Sequence, residues 1–597
     1  MPAADTPPPP GPPHSAQAAG ELVLLPYSRI EYRGVPLLLG RTRDRDVIVA
    51  PAFRQAPNSM EAGHPPLPLS GGEPSGEATI FPAHYDNMIS WEVHLAPERR
   101  LQPLNRAGFG YGFGAGNRMV ISWNDLPHLR ARATLGGWDG IFAAMLQSSA
   151  PFWFIQQSIV RELIPEGLEP AHYPGIGHTG GYGPREFLRA GLFAFAGLGG
   201  YTRYGLPIGA DADHAIVTGH DEESLQRSLA MNRLALSEAR DFTKFTVDTS
   251  HLFGFPAEIG PQDRERLLKV FRGRHFRIPN VLPGGQEREY EFDQDEVLRL
   301  GRLYWRACAV HKELYDHVAS ERSGRPFDYE LSLDETPLAT PPRELLFYLV
   351  LLYDVMGLEQ GGVASAGPNL GYNKREDFRG DLDWLQEQAN ACASILAHFG
   401  AMLAVHSADG ERAATGKGVG FDVTLLAATG GRAELKVADV YQEVLWHTLE
   451  SSPEPAEREL FREAWRRTYA AVALLAEVYR RELAPLPPDK AQRVLMDPMW
   501  QGRVARNYGA EALRVTHGVI HYGLPLFRLA SDLVGRADPD WPSAEAELFR
   551  RFMFLTYRGL RPDILRLLTA EGWARVSRAI HEATMVRIRA MGWELEA

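Results

Sequence analysis

The chain has 597 residues, 45% of them hydrophobic and 23% charged, with a formal net charge of -12. This balance suits a soluble globular protein of one large or several smaller domains, and excludes a polyanion-binding surface spread over the whole chain. No basic tract or RNA-binding signature is present, so nucleic acid is not an expected partner. Cys308 and Cys392 are too few for a disulfide framework, which favours a reducing compartment, with one bridge between them as the alternative.

In chain order, residues 1–20 contain Pro7 to Pro10 and Pro12-Pro13 without an apolar stretch, and read as a disordered polyproline-like tail rather than a signal peptide. The longest strongly apolar run, Leu345 to Tyr353, is about half of what a bilayer-spanning helix needs. A cytoplasmic enzyme without a membrane partner is therefore expected. Residues 21–107 alternate Val, Leu and Ile with polar residues between Gly and Pro, as in Asp46 to Val49, and predict a β-rich N-terminal region that Met88 to Leu95 continues.

After Phe109 short apolar runs alternate with helical ones: Arg118 to Ser122, Phe152 to Arg161, Phe187 to Leu198, Leu206 to Ala210, Leu225 to Arg240 and Phe245 to Asp248. That alternation is the pattern of βα units. Residues 258–340 interrupt it and read as a charged helical insertion. The units resume with helices over Glu344 to Asp354 and Asp381 to Phe399 and strands at Met402 to His406 and Ala433 to Val437. Residues 450–597 read as helical, packed on the preceding domain. The expected fold is an α/β class (β/α)-barrel, TIM-like, over 108–449, with an N-terminal β-rich extension, the helical insertion and C-terminal helices.

The segment Gly209-Ala210-Asp211-Ala212-Asp213-His214 gathers two carboxylates and an imidazole where a strand should end. A strand's period of two puts Asp211 and Asp213 on one side and His214 on the other, so the three converge only if the strand breaks there. The alternative is a helix start in which Asp213 caps the helix over Ser224 to Leu236. Asp248-Thr249-Ser250-His251 and Val405-His406-Ser407 end two further strands, and parallel barrel strands bring such ends to one face. Glu434 shares a strand side with Lys436 and can complete a metal site with His214 and His406, or else pair with Lys436 or Arg432. Imidazoles with a carboxylate suit Zn, Mn, Co, Ni or Fe, so a divalent metal cation is the expected cofactor. The glycine run from Gly108 to Gly116 reads as a loop with close backbone packing rather than a dinucleotide site. Asn373-Lys374-Arg375 can hold an anionic group or form a solvated helix entrance.

Taken in order, Phe113 to Arg118, Gln156 to Ile159, Gly209 to His214, Phe245 to Asp248, Asn373-Lys374-Arg375 with Arg379 to Leu382, and Val405-His406-Ser407 resemble the tagaturonate epimerase family. The resemblance implies a metal-dependent, barrel-like isomerase that interconverts tagaturonate and fructuronate, or tagatose and fructose as relatives do. The chain departs from the family pattern at Asn117, an acidic position there, at His406 to Gly410, and at Glu434, where the family has a histidine. Inversion at the carbon β to a ketone cannot proceed by simple enolisation, so a retro-aldol cleavage and re-addition is expected, with a Lewis-acid metal. On this reading Asp213 or Asp211, with Lys374 as a second candidate, moves the hydroxyl proton. His214, His406 and Glu434 hold the metal, while Arg118, Gln157, Arg375 and Ser407 bind oxygens of a small-molecule sugar or sugar acid. Other readings are a different metal-dependent sugar isomerase or aldolase, and an inactive carbohydrate-binding homologue.

Overall fold

A computed structural model describes residues 22–42, 45–51, 67–92, 101–103, 108–111, 138–159, 184–255, 258–336, 338–373, 376–437, 440–495 and 566–595, with short stretches between 496 and 565. The Pro-rich tail lies outside them. Strands β1 (Val23–Tyr32), β2 (Val35–Arg41), β3 (Asp46–Ala50), β4 (Glu73–Ser75) and β5 (Ala78–Pro82) form an antiparallel sheet in the order β1-β2-β3-β5-β4. The segment read as continuing this sheet instead enters a helix, Tyr85–Ser90, whose N-cap His84 accepts from Asn87 N. A side-chain cap and an acidic residue in the first turn favour the helix over the β-propensity of the residues that follow. The sheet is fastened to the helix Pro184–Gly197 by Arg189, which donates to Asp46 Oδ2 at 3.0 Å, with Arg41 on the other oxygen at 3.1 Å.

Eight strands then close a parallel barrel: β6 (Gly108–Tyr111), β7 (Trp153–Ser158), β8 (Ile208–Ile216), β9 (Lys244–Asp248), β12 (Asp328–Leu333), β13 (Ser365–Pro368), β14 (Met402–Val405) and β15 (Ala433–Val437), with β15 pairing back to β6. A two-stranded hairpin, β10 (Phe276–Ile278) with β11 (Arg288–Tyr290), precedes β12. The expected barrel is thus the observed fold. Its helices start where expected: Asp221 forms a capping box with Ser224, and Asp381 caps Leu382–His398 by accepting from Asp383 N and Trp384 N. Asp221, not Asp213, is therefore the cap of the helix after β8.

Two segments read differently in the structure. The stretch 258–340 does contain helices Pro261–Phe271 and Gln294–Arg322, but its end is barrel strand β12. Asp328, Glu330 and Ser332 alternate with Tyr329, Leu331 and Leu333, and every one of the six is buried. The start of the glycine run, Gly108 to Tyr111, is barrel strand β6 rather than loop. The cysteines are both buried and free. Among the described residues no helix is long and apolar enough to cross a membrane.

Candidate active site

The barrel interior is charged. Lys244 on β9 and Lys436 on β15 are each 1% exposed and lie among Asp211, Glu330 and Glu434, which are fully buried. Lys244 Nζ is 2.6 Å from Glu330 Oε2 and bonded to Glu434 Oε1, with Asp211 at 3.6 Å. Lys436 Nζ reaches Asp211 Oδ2 at 2.8 Å, Asp213 Oδ1 at 2.9 Å and Thr246 Oγ1 at 2.9 Å, and also bonds Glu330. Burial alone would lower both lysines; the surrounding carboxylates outweigh it and hold them as ammonium ions above their ordinary range. Glu330 is likewise held well below the carboxylate range, because Lys244 and Lys436 overcome its burial. Burial and the charge of Glu330 push Glu434 up to about 8.

One level towards the strand ends the character changes. β8 does not stop at Asp213: its pairing to β9 shifts between Ala212 and Ala215, and His214 takes a left-handed φ of 56°. The bulge turns His214 to the same side as Asp213, with Nε2 3.4 Å from Asp213 Oδ2, which also accepts from Gln156 Nε2 at 2.5 Å. The convergence sought in the sequence is thus reached without ending the strand. Ser407, directly after His406, is left-handed too, at φ 51°. A left-handed non-glycine residue stores strain that the surroundings must hold, and such strain gathers at functional sites.

His406 and His214 meet edge to face, ring centres 5.0 Å apart. His406 Nε2 is 2.8 Å from Glu330 Oε1 and Nδ1 is 3.2 Å from Asp334 Oδ1. Burial would lower its pKa, but Asp334 and Glu330 raise it to about 10, so it stands as an imidazolium. A Cβ on Gly367 would lie 2.7 Å from His406 Nε2, so only glycine lets the ring cross β13. Ser332 Oγ lies 2.8 Å from Asp334 Oδ1 and 3.2 Å from Asp248 Oδ2. Burial, then the charges of Glu335 and Asp334, push Asp248 up to about 7.

One ligand atom each from His214, Asp248 and Glu335 lies within 4.8 Å of the others. An imidazole with two carboxylates is a donor set for Mn, Fe, Co or Zn, and a divalent cation would relieve the repulsion among Asp248, Asp334 and Glu335. The residues present therefore fit a metal. Of the residues singled out in the sequence, Asp211, Asp213, His214 and His406 come together. Glu434 sits deeper, bonded to Lys244 and 3.9 Å from Lys436, the partner named in the alternative reading. A second carboxylate group, Asp211, Glu330 and Glu434, also has metal-like spacing, but two ammonium ions already occupy its surroundings. Ser407 is half-buried beside His406. Gln157 lies in β7 opposite Ala212. Arg118, Lys374 and Arg375 lie outside the described residues.

Lys244, Glu330, Asp334 and Glu335 are absent from the sequence reading, and Asp248 is noted there at a strand end without a role. The polar and apolar alternation of 328–333, ending in Asp334-Glu335, was the available signal.

Residues 193–411 match the family model described as tagaturonate epimerase, a span that holds His214, Asp248, Glu330, Asp334, Glu335 and His406. The chain resembles the tagaturonate epimerases. The expectations of that family and of an isomerase are met by this match. No curated protein matches the chain. Among solved structures, native fructuronate-tagaturonate epimerase UxaE from Cohnella laeviribosi is 19% identical, with TM-score 0.53 over 95% of this chain and 96% of that one. The same enzyme with two glycerols bound has TM-score 0.53 at 19% identity, over 96% and 97%. At this identity the likeness shows the shared fold.

Proposed function

We propose that this protein is a metal-dependent epimerase of a keto-hexuronate or ketohexose, of the tagaturonate and fructuronate type, working by retro-aldol cleavage and re-addition. The observation that carries the reading is the convergence of His214, Asp248 and Glu335 at the mouth of a closed barrel, inside the segment that matches the epimerase family. We assign the metal to these three, in place of the set with His406 and Glu434. When bound, the cation supplies Lewis-acid charge for an enediolate.

The proton of the β-hydroxyl needs an acceptor at the mouth. Asp211 is closed in by Thr246 and Lys436, and both oxygens of Asp213 are taken, by Lys436 and by Gln156 with His214. Burial raises Asp213, yet His214 and Lys436 hold it below the carboxylate range, a poor acceptor. Asp213 then orients His214 and Gln156. We assign the proton to Asp334, at the end of β12 beside the His406 imidazolium. As Asp334 takes that proton, the bond between the α and β carbons breaks and its electron pair moves onto the ketone. An aldehyde and an enediolate result. The aldehyde turns its other face, the bond re-forms, and Asp334 returns the proton. The lysines of the barrel carry no Schiff base in this scheme, because ammonium ions clamped by carboxylates are not nucleophiles.

The test is proton NMR of tagaturonate and fructuronate with Mn-loaded protein in deuterium oxide. Interconversion is expected with no deuterium at the inverted carbon, and Asp334→Asn should stop it while metal stays bound. Label at that carbon would exclude the retro-aldol route, and no turnover of either sugar would remove the epimerase reading.

A further inference from the structure

Behind the rim of the mouth four charged side chains, Asp409, Lys417, Asp422 and Arg587, are buried together apart from the candidate donors. Asp409 and Lys417 belong to the loop between β14 and the helix Phe421–Thr429, Asp422 to that helix, and Arg587 to the C-terminal helix Ala570–Ala590.

Among the described residues, the bonds of Lys417 reach across two loops. It donates to two backbone carbonyls, Asn373 O at 2.6 Å and Asp409 O at 2.9 Å, and stands 4.7 Å from the centre of the Tyr372 ring. One carbonyl belongs to the loop after β13, the other to the loop after β14. A buried charge must be compensated, and here the compensation joins two loops. The seam continues on either side. Tyr372 OH donates to His406 O at 2.6 Å, Phe378 N to Lys417 O at 2.7 Å, and Glu411 N to Asp377 Oδ1 at 2.7 Å. Arg587 backs it from the C-terminal helix, with Nη2 3.3 Å from both Ala408 O and Asp409 Oδ1. There is no slack: a Cβ on Gly410 would lie 2.2 Å from Gly416 O.

We infer that Lys417, backed by Arg587, is a positioning residue for substrate binding, which sets the spacing of the β13 and β14 loops that frame the mouth. The inference rests on the epimerase reading for its substrate, a keto-uronate or ketose. The side chains assigned to the chemistry are held from other strands, the His406 ring by Glu330 and Asp334 and His214 by Asp213, so the seam reaches them only through the backbone, where Tyr372 bonds His406 O and Asn369 bonds Asp334 O. Loosening the loops should therefore weaken substrate binding and spare the chemical step. It also gives the C-terminal helix a part in the site that its distance in sequence conceals.

The test uses the full chain loaded with Mn, as wild type, Lys417→Met and Arg587→Lys. Lys417→Met should raise KM about tenfold or more while kcat stays within about threefold. Arg587→Lys keeps a charge facing Asp409 but gives up the fork, and should show a smaller rise of the same kind. An unchanged KM in either folded variant, whatever happens to Tm, would overturn the inference, as would a kcat that falls by more than KM rises. If Lys417→Met does not fold, Arg587→Lys decides. Amide hydrogen exchange gives an answer independent of turnover. Arg587→Lys should speed exchange in residues 369–373 as well as 406–418, and faster exchange confined to 406–418 would break the proposed link between the loops. Should the wild type convert neither sugar, the epimerase reading fails and the exchange result still stands for or against the coupling.

Discussion

The floor and the mouth of the barrel hold similar numbers of acids and settle their charge in different ways. On the floor, Lys244 and Lys436 face Glu330 and Asp213, which are held ionised, and Asp211 and Glu434, which are pushed up. Two ammonium ions meet two carboxylates held ionised, while burial pushes the other two carboxyls above their ordinary range. In the mouth, Asp248, Asp334 and Glu335 crowd together beside His214 and His406, and burial with the charges of Glu335 and Asp334 pushes Asp248 up to about 7. A buried cluster that holds its own ammonium ions is structure; one in which carboxylates crowd an imidazole is a place for a cation.

The largest effect should come from breaking the floor. Lys244→Met leaves Glu330 and Glu434 facing each other without their shared ammonium, and removing one partner of a buried ion pair costs about 3–5 kcal/mol. Urea unfolding of the metal-free protein measures it, and a variant as stable as wild type would mean the floor is not a coupled unit. The mouth should behave in the opposite sense. Asp248→Asn removes one of three crowded carboxylates, so the metal-free protein should keep or gain stability, while Mn affinity by calorimetry falls about 10- to 100-fold or more. Wild-type affinity would take Asp248 out of the donor set. A stability loss like that of Lys244→Met would erase the distinction between the two levels.

How much of this could be read beforehand depends on which direction a charge faces. Strand β15 was legible to the residue, since Ala433, Leu435 and Val437 alternate with Glu434 and Lys436. The meeting of His214 and His406 was legible from their places at strand ends. Strand β12 was not, although its alternation is just as regular. The helical and charged character of 258–340 as a whole reads as a helical insertion and covers the strand at its end, whereas a barrel buries both faces of each strand and here fills its interior with charge. The bulge at His214 was hidden for another reason. A left-handed non-glycine residue is uncommon even for histidine, and here it accompanies the shift in pairing of β8 with β9, which the local sequence does not mark.

The smallest effect, and the sharpest check on the floor, belongs to Glu434. Because burial and Glu330 push its pKa up to about 8, at pH 7 it already carries a proton, so Glu434→Gln should leave Mn affinity unchanged and unfolding no easier than in wild type. The sign of the pH dependence follows from linkage. An acid whose folded pKa lies above its unfolded value, here about 8 against 4.5, binds more protons in the folded state between those limits. Its contribution is therefore fully present below about 4.5 and lost as pH rises towards about 8. The glutamine variant has no such loss. Urea midpoints of the two proteins should separate over that window in favour of the variant, and the gap should stay constant above it. Midpoints that separate in the other direction would mean that Glu434 is ionised on Lys244, that the floor carries a net negative charge, and that the contrast with the mouth is one of degree.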